Sequence, residues 1–394
     1  MVGRLKIAVV GTLALLGLVS IPAIGAVQGS GASPAVSQSA RSQRQGAAFA
    51  MTNVISGNRI VAYRRAANGS LTRVGSVATR GNGIGTDLDT QGSLRLSSDH
   101  RYLYAANAGS DDVTVFSVNG ANLKFLQRIN AGDEPNSLAL HGDLLYVLDG
   151  SVAGNGIRGF RVGSNGRLTA LPRSFRMLSS PIAVPGDLEF SPDGRVLLVT
   201  HKTTNTTLTP ANAIDAFTVG SNGLAAARPV RNPSTGLRPF SVAFSHGGRL
   251  VVAESFNASA GRSALSAYRL AADGKLSVTD RSVPNHQTDT CWVVVTKDGR
   301  YAFTANFGSG TISSYRLDTR GEVSLIAGKA ALLGATSQPV DLALSANSQY
   351  LYLLLRGKGA VAAFRIQENG ALQSLGTTTG ALPVADGASG LAAY

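Results

Sequence analysis

The chain has 394 residues, 44% hydrophobic and 15% charged, with 46 glycines and a formal net charge of +13. That apolar content excludes a disordered chain, and a single cysteine, Cys291, excludes an intramolecular disulfide framework. The arginines are scattered and form no basic stripe with stacking aromatics, so a small anionic molecule or an acidic envelope polymer is the expected partner and nucleic acid is not.

In chain order, Arg4 and Lys6 precede an apolar run over residues 7–19, and Ala23, Gly25 and Ala26 follow. This order predicts a secretory signal peptide over residues 1–27, with an uncleaved membrane anchor as the alternative. Loss of Arg4 and Lys6 would take the charge from +13 to +11. The expected location is therefore secreted or cell-envelope associated, with membrane contact only through an uncleaved N-terminal segment. Residues 28–46, rich in Ser, Gln, Gly and Ala, read as a flexible linker.

From residue 47 onward a unit repeats. Tyr63, Phe116, Phe160, Phe217, Tyr268, Tyr315 and Phe364 each close an alternating apolar run and lie 44 residues (Phe116 to Phe160) to 57 residues (Phe160 to Phe217) apart. A tight-turn glycine follows each one: Gly69, Gly120, Gly166, Gly223, Gly274, Gly321 and Gly370. Asn or Asp precedes six of these glycines. Asn-Gly and Asp-Gly supply the left-handed backbone that a two-residue hairpin needs. A second hairpin lies upstream, clearest at Ser191-Pro192-Asp193-Gly194-Arg195 and Thr296-Lys297-Asp298-Gly299-Arg300. Two hairpins per repeat give four short strands, so the chain reads as an all-β, seven-bladed propeller over 47–394. Residues 47–51 look like a strand without its inner neighbour, and residues 390–394 like the missing neighbour. Their pairing would close the ring, whereas a solenoid would not need complementary half-blades at its two ends. A ring closed in this way is expected to be a monomer.

The segment Cys291-Trp292-Val293-Val294-Val295-Thr296-Lys297-Asp298-Gly299-Arg300-Tyr301, the run from Asn306 to Tyr315 and the Pro-Asp-Gly-Arg turn resemble the seven-bladed lactonase family of 6-phosphogluconolactonases and carboxy-muconate cyclases. The resemblance covers the whole ring. It implies a carboxylic ester hydrolase or cyclase-like activity, with an Arg at an inner-strand entrance and a Glu ending a second strand. Arg238 and Glu254 stand at those places, and Phe240 stands where the family places a His.

Propeller sites form where inner-strand entrances meet the loops after second strands. By that geometry the entrance candidates are Asn136, Asp187, Arg238, Asp289 and Asp341. The loop candidates are Asn107, Asp149, His201, Lys202, Glu254, Asn306 and Arg356. Lactone hydrolysis needs a base and an oxyanion partner. Glu254 is the candidate base, with Arg238 and His201 beside it. Lys202, Asp289, Asp341, Asn306 and Arg356 are candidate substrate contacts. Five His residues show no metal-ligand spacing, and no loop has a dense Asp pattern, so neither metal nor cofactor is expected. Trp292, the only tryptophan, and Cys291 lie in an apolar strand and read as buried. Two functions fit: an exported lactonase-like enzyme acting on a small anionic lactone, or a non-catalytic envelope propeller that binds a ligand or partner through the same face.

Overall fold

The computed structural model describes residues 46–151, 154–180, 182–202, 212–384 and 386–394. The expectations for residues 1–45, signal peptide and linker, lie outside the described residues. Among those described, no helix is long and apolar enough to cross a membrane.

Seven antiparallel sheets form a propeller. Blade 1 holds strands Gly46–Met51, Arg59–Arg65 and Leu71–Ala78. Its innermost strand is the C-terminal Leu391–Ala393, in the register Ala48↔Ala393 and Ala50↔Leu391. The two chain ends thus complete one sheet, and no edge is left open between first and last blade. The inner and second strands of blades 2 to 7 are Leu94–Leu96 and Tyr102–Asn107, Pro135–His141 and Leu144–Asp149, Pro185–Phe190 and Val196–His201, Pro239–Phe244 and Arg249–Glu254, Thr290–Val295 and Tyr301–Asn306, and Pro339–Leu344 and Tyr350–Leu355. Blade 3 departs from the four-strand plan. Its outer strand is split into Leu168–Ala170 and Arg176–Met177, and Pro172 between the pieces has no N–H for a continuous ladder.

The repeated aromatics lie in the third strands, which include Asp112–Asn119 and Ala264–Leu270, and in Arg59–Arg65 of blade 1. They are buried between neighbouring blades. The turn glycines have a second role there. Tyr352 Oη donates to the Gly69 carbonyl (2.9 Å), Tyr104 to Gly166 (3.1 Å) and Tyr146 to Gly223 (2.8 Å). A second-strand tyrosine of one blade therefore grips the hairpin turn of the next. At Gly69 both constraints meet: φ is +91°, and a Cβ would collide with the Tyr350 ring.

In the upstream hairpins Ser191 Oγ and Thr296 Oγ1 donate to Asp193 and Asp298 (2.6 Å each), which fixes the turns. At the other end of the inner strands, the pairing with the second strand shifts register in blades 3 to 7, between Pro135/Ser137, Pro185/Leu188, Pro239/Val242, Thr290/Trp292 and Pro339/Leu342. Such bulges re-aim side chains. They lie at the entrances that face the ring mouth.

Candidate functional site

The residues just ahead of several inner strands have left-handed backbone: Glu134 (φ +57°), Arg238 (+53°), Asp289 (+57°) and Gln338 (+45°). Non-glycine residues held this way store strain that the surrounding ring must support. With the bulges that follow, this conformation brings the side chains of Arg238 and Asp289 to the channel mouth.

The two meet there. Arg238 Nη1 donates to Asp289 Oδ1 (3.2 Å), and Arg238 Nη2 to Asp89 Oδ2 (3.0 Å). Lys202, almost fully buried, donates to the side chain and carbonyl of the same Asp89. Arg356 pairs with Asp87. Lys202, Arg238 and Arg356 thus form a cationic mouth over blades 4, 5 and 7. Asp289 stands beside it, and Asp87 and Asp89 lie on it. Among the described residues, Arg238 Nε is buried with no hydrogen-bond partner. Burial pushes the Asp289 carboxyl above its ordinary range against the pull of Arg238, and lowers Lys202 against the pull of Asp89. Cys291 Sγ lies 3.3 Å from Asp289 Oδ1, and burial raises its thiol well above the ordinary range. A protonated thiol is a poor nucleophile, in keeping with the sequence reading of a buried cysteine.

Asp87 and Asp89 belong to the connection between blades 1 and 2, and sequence reasoning missed them. Its inner half crosses the channel. Thr90 Oγ1 donates to the Asn136 carbonyl of blade 3 (2.8 Å), and Gln91 N to the Gly186 carbonyl of blade 4 (3.0 Å). Gln91 Oε1 accepts from Val293 N of blade 6 (3.0 Å), and Trp292 Nε1 donates to the Thr90 carbonyl (3.1 Å). Asp341 accepts from the backbone N–H of Gly92 and, at 2.8 Å, of Gly390. Burial raises Asp341 to about 6. Beneath this strap, Asp187 is fully buried between Gln91 Nε2 (3.3 Å), Val242 N (3.0 Å) and Arg95, and burial raises its carboxyl. Toward the opposite face lies a cavity of about 340 Å³ whose wall includes Gln91, Arg95, Glu189 and Val293. One signal was readable: an acidic pair, Asp87 and Asp89, in a basic chain, on a connection from Ala78 to Leu94 longer than the one from Pro284 to Thr290.

The remaining sequence candidates lie elsewhere. Glu254 is wholly buried and accepts from Gly236 N (2.9 Å), Thr235 Oγ1 (3.1 Å), Ser266 Oγ (2.5 Å) and Ser282 Oγ (2.7 Å). It makes no ion pair with Arg238, which instead meets Ser255 Oγ (3.4 Å). The reason is the two-residue period of a strand: Glu254 faces the seam with blade 4, and its neighbour Ser255 faces the mouth. Gly236 is required by this closeness, since a Cβ would lie 2.1 Å from a Glu254 oxygen. Burial raises the Glu254 carboxyl. The same second-strand position clamps other seams. His201 Nε2 lies 3.0 Å from Asp215 Oδ2, which accepts from Ser179 N (2.7 Å). Asn306 joins Asn285, Thr290, Thr311 and Ser313. Asn107 joins Asn58 and Thr114, and Asp149 accepts from Asp133 N. The structure therefore brings Lys202, Arg238, Asp289 and Arg356 together, sets Asp341 just beneath them, and puts Glu254, His201 and Asn306 in the seams. Among the described residues no group of three His, Cys, Asp or Glu could hold a metal ion.

Comparison with known proteins agrees with this architecture. The family model described as lactonase, 7-bladed beta-propeller, matches residues 41–184 and 255–327, more than half of the chain. No curated protein matches the sequence. Among solved structures, a candidate 6-phosphogluconolactonase of Bacteroides uniformis superposes with a TM-score of 0.70 at 15% identity, over 89% of this chain and 100% of that one. A second candidate 6-phosphogluconolactonase, from Bacteroides fragilis, gives 0.65 at 17%, over 89% and 97%. The periplasmic gluconolactonase of Pseudomonas aeruginosa gives 0.64 at 16%, over 88% and 98%. At these identities the structural likeness establishes the fold alone.

Proposed function

The chain belongs to the seven-bladed β-propeller lactonase family, and from that premise we propose that it hydrolyses a small anionic lactone at the mouth formed by Lys202, Arg238, Asp289 and Arg356. One observation carries the reading: a carboxylate with a raised pKa, Asp289, lies against a guanidinium, Arg238, at the mouth of the ring, where both side chains keep some contact with water. A carboxylate that holds its proton more tightly is a better general base once ionised. In this reading Asp289 takes a proton from the attacking water. Arg238, whose side chain is partly exposed at the mouth, receives with its guanidinium the oxyanion that develops on the lactone carbonyl. Lys202 and Arg356 hold the negative group of the substrate. The ring oxygen leaves as an alkoxide, which the protonated Asp289 can neutralise to give the hydroxy acid.

The test is a panel of carboxylated γ- and δ-lactones with wild type and Asp289→Asn. At least one lactone should be turned over. The variant should lose roughly 100-fold or more in kcat while melting like wild type. kcat/KM should rise with pH through an apparent pKa above the ordinary carboxylate range, because the base acts only when ionised.

A second reading, a non-catalytic propeller that binds an anion, is favoured by one observation: each mouth cation is already paired with an acid. Binding of small carboxylates without turnover of any lactone would select it. Export of the chain as a monomer belongs to the same proposal. It rests on the order of residues 1–27 and on the ring closing upon itself, and is tested by N-terminal sequencing of the extracellular protein and by its sedimentation.

A further inference from the structure

Residues 86–92 form a strap across the channel, and its two halves are held differently. The inner half, Thr90 to Gly92, is tied by neutral hydrogen bonds to blades 3, 4 and 6 and by the Gly92 N–H to Asp341 of blade 7. The outer half presents Asp87 and Asp89, whose side chains are 30% and 37% exposed and are held by charge to Arg356, Lys202 and Arg238. Asp89 N also donates to Asp87 Oδ1 (3.0 Å), so the two carboxylates sit as one unit. Asp89 itself is a non-glycine residue with φ +50°.

Lys202 is 2% exposed. A buried ammonium without an anion is strongly unfavourable, but any well-placed carboxylate meets the need. Exchange of Asp89 for an external anion leaves the number of ion pairs at Lys202 and Arg238 unchanged, and the released Asp89 is already partly in water. We propose that the strap is an intramolecular competitor: the Asp89 carboxylate occupies the anion position of the mouth, and an anionic ligand enters by taking over Lys202 and Arg238 while Asp89 turns out to solvent. The identity of this position as a substrate subsite rests on the lactonase reading; the competition itself does not.

The chain carries its own reporter, because the only tryptophan donates to the Thr90 carbonyl beside Asp89. Succinate titrated into the full-length protein, followed by Trp292 emission, measures ligand entry without any turnover. Asp89→Asn removes the competing charge and should bind succinate about tenfold or more tightly, a gain of ~1.4 kcal/mol. Its Tm should also rise more with added succinate than that of wild type. Equal or weaker succinate affinity in a folded Asp89→Asn protein overturns the proposal. If Asp89→Asn folds only with succinate present, the external anion has replaced the lost carboxylate, and the proposal stands. If it folds under neither condition, Asp87→Asn reads the same competition at Arg356, with tighter binding as support and unchanged binding as refutation. Succinate binding that depends on Asp89, with no lactone hydrolysed, sinks the hydrolase reading and keeps the competitor. Lactone turnover with KM unaltered by Asp89→Asn does the reverse.

Discussion

Two polar regions of this ring look alike in the sequence and differ in kind. The seams between blades and the mouth of the channel both bury carboxylates at strand ends. Glu254 in a seam and Asp289 at the mouth both have pKa values raised by burial. Their partners separate them. Glu254 faces hydroxyls and a backbone N–H from the connecting segment and from its own blade; it is fully buried and, among the described residues, has no cation against it. Asp289 faces a guanidinium, at an end of the channel where side chains reach water. A perturbed pKa is thus shared by both regions and identifies neither; the charge and the access beside it do.

Four perturbations sharpen that comparison. Removal of residues 390–394 should have the largest effect. It deletes the strand that pairs with Ala48–Ala50 and the Gly390 N–H that Asp341 accepts, so cooperative unfolding by heat should be lost. A sharp transition near the wild-type Tm would mean that the seams hold without closure.

Trp292→Ala should cost roughly 3–5 kcal/mol in denaturant unfolding, because the ring is buried against Phe240 (4.9 Å between centroids) and Phe307 (6.3 Å). It also supports the strap, so it spans both regions. An unchanged midpoint would leave it no packing role.

Asp341 links ring closure to the strap, and its pH dependence has a definite sign. Its folded pKa, about 6, lies above the ordinary carboxylate value, so the folded state holds the proton more tightly. Its contribution is fully present below about pH 4 and lost as pH rises through about 6. Two units correspond to roughly 3 kcal/mol. Relative to wild type, Asp341→Asn should gain about that much between pH 4 and pH 7 in urea unfolding. A constant difference would refute the assignment.

Glu254→Gln should have the smallest effect, roughly 1–2 kcal/mol of stability, with kcat for any lactone substrate changed less than about threefold. A hundredfold fall in kcat at unchanged Tm would break the comparison and make the seam carboxylate the base.

Much of the ring was legible before folding, because its signals are local. An Asn-Gly pair sets its own turn, and alternation within a strand sets which face is apolar. The half-blades at residues 47–51 and 390–394 were visible as incomplete copies of a unit written in full elsewhere. The mouth was only partly legible. Lys202, Arg238, Asp289 and Arg356 follow from their places at strand ends. Glu254 differs from Ser255 by a single step of a two-residue period, and no local pattern says which of the two faces the seam. Asp87 and Asp89 stood out only as an acidic pair on a long connection; their partners lie more than a hundred positions further on, and only closure of the ring carries that connection across the axis to blades 4, 5 and 7. Turn chemistry and hydrophobic period are properties of neighbouring residues, and the sequence determined them alone. The meeting of one loop's carboxylates with cations from three blades depends on how all seven sheets sum around a circle, and only the tertiary structure decided it.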